Sequence, residues 1–297
     1  MDIVPQINKK SRHPSAIEVS PYLRDHHFEG KVILPAVETL IALAHVVELN
    51  FPQIRLNCLL KAIFPRFLFI APETQRLAVF VDLENVQNDH VIAVLLTSIK
   101  SKQSGIGRAL EHARVKFAAD DSAPHPAVPF RVSEKLEGEC IRIPAATIYR
   151  ELVPFGTAYQ NIIGDLAVSP EGALAYLSGG NYEADENSLG SPFPLDAAMH
   201  AACVWGQRFS DIVPFPTGFE KRLIYQKTKK GDHYLGRIAP VRIDRESLLF
   251  DAWIYDLNGV IYEAISGIKM RDVTQGRLHP PQWIKASLLT SRKTSNT

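Results

Sequence analysis

The chain has 297 residues, 46% of them hydrophobic, and a formal net charge of +1 at pH 7. This is a globular composition, long enough for about two domains. The near-neutral balance argues against nucleic-acid binding, which draws on many phosphate contacts. The basic runs "NKKSRH" and "EKRLIYQKTKKGDH" read as solvated surface, and Lys227, Lys229 and Lys230 in the second offer a landing for an acidic partner. Cys58, Cys140 and Cys203 are odd in number and lack metal-ligand spacing. With no signal-peptide pattern and no bilayer-length apolar run, the chain reads as cytoplasmic and reduced, with no membrane association.

The first informative stretch is "DHHFEGKVILPAVETLIALAHVVELN", Asp25 to Asn50. Pro35 suits an opening helical turn, where its missing N–H costs nothing. Apolar residues then cover nearly every face, as in a helix of the interior. "RLAVFVDLE" and "HVIAVLLTS" follow as strands around the polar turn "NVQND". From Ala118 to Gly138 three prolines and mixed charge predict an extended connector. Boundaries are therefore expected at 1–125 for the first unit, 126–138 for the linker, 139–280 for the second unit and 281–297 for a frayed tail.

In the second unit "GDLAVSPEGALAYLSG" reads as two short strands around a Pro-Glu-Gly turn. "PLDAAMHAACVWGQRF" is a second buried helix. "LLFDAWIYDLNGVIYEAISGIKMRDV" alternates on both sides of Asn258-Gly259, a strong hairpin signal. Two helices among so many strands predict an α+β fold, with antiparallel sheets each wrapped on a buried helix.

Asp196 and His200 are four residues apart, so they share a helix face, and Gln207 falls near it. By themselves they fit an N-cap aspartate and a satisfied core histidine at least as well as catalysis. His26 and His27, taken alone, fit a solvated loop. Read together, His26, Gly30 and Pro35 form H-x-x-x-G-x-x-x-x-P, and Pro192, Asp196 and His200 form P-x-x-x-D-x-x-x-H. The combination resembles the dehydratase domains of polyketide synthases. "LEHARVKFA" around His112, "YRELVPFGTAYQNI" with Gly156 and Tyr159, and the final hairpin with Asp251, Asp256, Gly259 and Gly267 resemble that family's other landmarks, in order. One segment departs: the family's Y-G-P-x-F is Tyr159-Gln160-Asn161-Ile162-Ile163 here, a change that bears on pocket shape.

The resemblance implies a double hotdog and removal of water from a 3-hydroxyacyl thioester, giving a 2,3-enoyl thioester. His26 would be the base, neutral near its ordinary pKa of about 6.5. Asp196 would be the acid, kept protonated by apolar surroundings. The Gly30 amide, taken to stand at the start of the first helix, would polarise the thioester carbonyl, with Pro35, Tyr159 and His200 lining the substrate. The partner would be an acyl carrier protein or coenzyme A thioester, acted on by a free-standing protein with no metal or cofactor, since side chains handle both protons. Oligomeric state stays open, a homodimer being one option because edge strands of such folds often pair between subunits. Two other readings stand beside this one: a degenerate dehydratase that binds an acyl carrier without turnover, for which the altered Tyr159 segment speaks, and a hotdog thioesterase.

Overall fold

The computed structural model describes residues 9–86, 90–100, 107–118, 135–182, 188–244 and 247–285. The N-terminal half contains β1 (Lys9–Glu18), the two-residue strands β2 (His27–Phe28) and β3 (Lys31–Val32), helix α1 (Ala36–Asn50), and strands β4 (Cys58–Ile63), β5 (Arg76–Val86), β6 (His90–Lys100) and β7 (Gly107–Ala118). The C-terminal half contains β8 (Ile141–Pro144), the short α2 (Ala145–Thr147) running into a wide helical turn at Ile148–Leu152, strands β9 (Ile162–Ser169) and β10 (Gly172–Ser178), and helix α3 (Phe193–Phe209). It closes with β11 (Phe215–Ile224), β12 (His233–Ile243), β13 (Ser247–Tyr255) and β14 (Ile261–Arg271).

The two expected sheets are joined edge to edge. Twelve strands form one antiparallel sheet in the order β1-β5-β6-β7-β4-β11-β14-β13-β12-β10-β9-β8, and the seam between halves is the β4–β11 pairing. The sheet curls around α1 on one side of that seam and α3 on the other, which is the double hotdog arrangement. Every residue of α3 from Phe193 to Arg208 is buried, as an all-round apolar helix requires. α1 differs at its end: His45, Glu48 and Leu49 are exposed, so its last turn emerges into solvent.

The hairpin signal at Asn258-Gly259 is a β13–β14 turn, with Asp256 accepting the amides of Asn258 and Val260. The Pro-Glu-Gly turn joins β9 to β10. Residues 126–134 of the expected linker and 286–297 of the expected tail lie outside the described residues. The chain is still packed at its last described turn: Ile284 is buried, and its carbonyl accepts from Arg208 at 2.7 Å. Cys58 and Cys203 are buried, whereas Cys140 is exposed.

Beside the seam, Arg222 on β11 meets Glu263 on β14 at 2.7 Å, both side chains almost wholly buried. Removing one partner strands a charge in the sheet. Arg222→Ala is therefore expected to cost about 3–5 kcal/mol, measured by denaturant unfolding. A loss under about 1 kcal/mol, the level of an exposed pair, would show that the charges are solvated.

Candidate active site

A cavity of about 600 Å³ opens between the halves, with His26, Gly30, Asp196 and His200 all in its wall. The remainder is largely apolar, including Phe28, Phe67, Phe155, Met199 and Phe215. His26 follows a 3-10 turn at Pro21–Asp25. Its ring Nδ1 lies 3.3 Å from the carbonyl of Ile33. Donation there leaves Nε2 as the basic nitrogen.

Three contacts hold the N-terminal loop against the C-terminal half. The carboxylate of Asp25 accepts the amide of Ala158 at 2.8 Å and the hydroxyl of Thr157 at 3.2 Å. The carbonyl of Asp25 accepts the amide of Gly156 at 2.8 Å. A Cβ on Gly156 would stand 2.4 Å from Cγ of Asp25, so the approach depends on a residue without one. This clamp brings Phe155 onto His26, ring centroids 4.2 Å apart and stacked, and within 5.0 Å of the His200 ring.

Asp196 is not a helix cap. α3 begins at Phe193, which puts Asp196 inside the first turn, with its carboxylate toward His200. Nε2 of His200 lies 3.0 Å from Oδ2 of Asp196, but poorly aligned for a hydrogen bond. Both atoms are buried and keep bonding capacity for a further group. Tyr149 approaches Nδ1 of His200 at 3.5 Å, and Gln207 ties α3 to the carbonyl of Leu152 at 2.9 Å.

Electrostatics depart from both expected pKa values, although His26 stays neutral as expected. Burial drives the pKa of His26 from 6.5 down to about 4, with Asp196 opposing, so the ring is neutral across the physiological range. For Asp196 burial pushes upward, but pairing with His200 and the proximity of His26 outweigh it. The net direction is below the ordinary carboxylate value. Apolar walls alone were expected to keep this acid protonated; the two rings beside it reverse the balance.

Other expected residues fall differently. Gly30 lines the cavity, but from the β2–β3 turn rather than the start of α1; Glu29 and Gly30 both take positive φ there. Pro35 precedes α1, its carbonyl accepting from Thr39, and it is not in the cavity wall. Tyr159 is fully buried behind His26, its hydroxyl directed to Glu38 at 3.5 Å rather than into the cavity. His27 and His112 both contribute to the wall. Lys227, Lys229 and Lys230 are exposed on the β11–β12 loop and contribute nothing to it, whereas Arg66 does.

Residues 160–163, where the sequence departs from the family pattern, do not line the cavity themselves. Instead Gln160 donates to the carbonyl of Phe155 at 2.9 Å, and Asn161 donates to that of Ala158 at 2.7 Å. Side-chain hydrogen bonds hold this loop where the family pattern has Gly-Pro. Sequence reasoning missed Phe155 and Tyr149, which no motif separates from ordinary core aromatics.

Residues 141–280 match the family model described as "Polyketide synthase dehydratase N-terminal domain". No curated protein matches the sequence. Among solved structures, the CurJ dehydratase, an inactive mutant in complex with a compound, is 18% identical. It aligns with a TM-score of 0.71 over 94% of this chain and 95% of that one. The dehydratase domain of RzxB from Pseudomonas fluorescens is 11% identical, with a TM-score of 0.69 over 88% of this chain and 94% of that one. A monomeric dehydratase domain from a trans AT polyketide synthase split module is 13% identical, with a TM-score of 0.67 over 89% of this chain and all, 100%, of that one. At such identities the structural likeness is one of fold, the double hotdog. The family match and the fold agree, and together are consistent with a member of the polyketide synthase dehydratase family.

The depressed pKa of His26 has a measurable sign. An unfolded chain binds the proton near pH 6.5 and the folded one only near 4, so stability falls as pH drops between those values. NMR titration of the His26 ring is expected to give a midpoint near 4. A midpoint at or above 6.5 would mean that the ring is solvated.

Proposed function

We propose that the protein is a hydro-lyase that removes water from a 3-hydroxyacyl thioester, presented by an acyl carrier protein or coenzyme A, to give the 2,3-enoyl thioester. The observation that carries this reading is the meeting of His26 and the Asp196–His200 pair across one largely apolar cavity.

The C2 proton is weakly acidic, activated only by the thioester carbonyl. Neutral His26 takes it at Nε2, with Nδ1 held by Ile33. The electron pair of the C2–H bond becomes the C2–C3 double bond as the C3–O bond breaks. The departing hydroxyl takes a proton and leaves as water. Asp196 supplies that proton through Oδ2, which lies 3.0 Å from Nε2 of His200 and has no hydrogen-bond partner of its own among the described residues. An acyl chain filling the cavity removes water and strengthens the burial effect, which pushes the Asp196 pKa upward. The Gly30 amide, at the cavity wall, is the donor assigned to the thioester carbonyl.

The carboxylate–imidazole pair favours dehydration over hydrolysis, since hydrolysis has no evident use for an opposed base. His26→Ala and Asp196→Asn are each expected to lower dehydration of a 3-hydroxyacyl thioester by about two to four orders of magnitude while the proteins stay folded. Enoyl formation is followed separately from thiol release. Turnover near wild type in either variant would remove the assignment; thiol release without enoyl product would move the protein to hydrolysis, and carrier binding with neither product would make it a degenerate binder.

A further inference from the structure

From α3 the cavity wall takes Asp196, Met199, His200 and Cys203. They fall at i, i+3, i+4 and i+7, one face of the helix, so the cavity runs along its axis. The next position on that face is Gln207, which is buried and outside the wall. Its Nε2 donates to the carbonyl of Leu152 at 2.9 Å and to Sγ of Cys203 at 3.5 Å. Gly206 beside it is covered by Pro214, so closely that a Cβ there would meet the proline ring at 2.6 Å. Leu152, Val213 and Pro214 are buried members of the wall, and they close the cavity just past Cys203. The opposite end is open. Among the described residues the exposed wall members are Glu29, Gly30, Pro65, Arg66, Pro154 and Val273. Contacts gather them around the β2–β3 turn: Phe67 packs on Phe28 at 5.1 Å, Arg277 pairs with Glu29, and Phe155 stacks on His26.

We infer that the acyl group taken here is a hydrocarbon chain of about ten to twelve carbons, its tail laid along α3 and ending at Cys203. Seven residues separate Asp196 from Cys203, an axial rise of about 10.5 Å. An extended chain advances about 1.2 Å per bond, the rise of extended backbone shared among its three bonds. With C3 beside Asp196 and the thioester at the mouth near Gly30, about eight further carbons reach the closed end. Chemistry at that end selects hydrocarbon over an oxygenated tail. The carbonyl of Leu152 and the amide of Gln207 already engage each other. Burial pushes the Cys203 thiol up to about 12, so it stays neutral and acts as a small apolar group. A hydroxyl or keto oxygen brought there would give up its water and find no new partner.

The inference rests on the dehydration reading only for the placing of C3 beside Asp196, so binding is measured apart from turnover. Acyl chains of increasing length, joined to pantetheine through an unreactive amide, are titrated into the wild-type protein by calorimetry. Affinity is expected to rise about threefold per added methylene and to level off at about twelve carbons. A keto group near the end of a chain of about ten carbons is expected to weaken binding about tenfold. Cys203→Phe is expected to move the plateau about three carbons shorter. Cys203→Leu makes the same change by a smaller step and serves if the larger ring prevents folding. In either variant the loss grows with chain length, where a general defect would weaken every chain alike. Affinity indifferent to length, or still climbing at about sixteen carbons, overturns the inference. So does equal affinity for the keto chain, or a plateau that a folded variant leaves in place. The expected plateau in a protein that forms no enoyl product upholds the chain pocket and removes the dehydration reading instead.

Discussion

The contact on which the site depends is the one between Asp25 and the amides of Gly156 and Ala158. It is made by the residue next to His26, and it crosses from one half of the chain to the other. Because both partners are backbone donors, the loop at 155–159 is fixed in position rather than merely packed. Phe155 is thereby driven between the rings of His26 and His200. Neither half contains a site by itself. The β4–β11 seam makes the halves one sheet, and the Asp25 clamp sets the register of the loops above it.

Burial has opposite consequences for the groups gathered there, and that divides their roles. A histidine surrounded by aromatic rings loses affinity for a proton, so His26 is basic only in the sense of being neutral and available. A carboxyl in the same surroundings gains affinity for one, unless a ring nitrogen stands close enough to reverse the effect. Asp196 has such a neighbour in His200; Glu38 has only tyrosine hydroxyls and keeps the raised value. Two acids with similar burial shift in opposite directions because only one has imidazoles beside it.

Much of the fold was legible because local patterns and tertiary demands agree. The two greasy helices, the β5–β6 and β9–β10 pairs and the Asn258-Gly259 hairpin all appear where periodicity and turn chemistry place them. β11 and β12 did not announce themselves. Pro216 and Gly218 in the first, and Gly236 and Pro240 in the second, look like loop residues. Pro216–Gly218 and Pro240–Arg242 both fall at register shifts where pairing is interrupted. At Gly218 the sheet needs a glycine, since a Cβ would meet the carbonyl of Ala62 at 2.2 Å. The run Glu220-Lys221-Arg222 read as charged surface, yet Arg222 is buried against Glu263.

The sequence by itself determined the candidate chemistry: a histidine before an apolar helix, an aspartate and histidine four residues apart on another, and turn residues that space the strands. Those are local facts, set by spacing along one backbone. Tertiary structure decided which of the named residues face the cavity, sending Tyr159 back to Glu38 and leaving Pro35 in the turn before its helix. It also decided protonation, because the pKa of a buried group depends on neighbours that the chain brings in from far away. His26 and Asp196 are 170 positions apart, and no pattern within either segment reports the field that each exerts on the other.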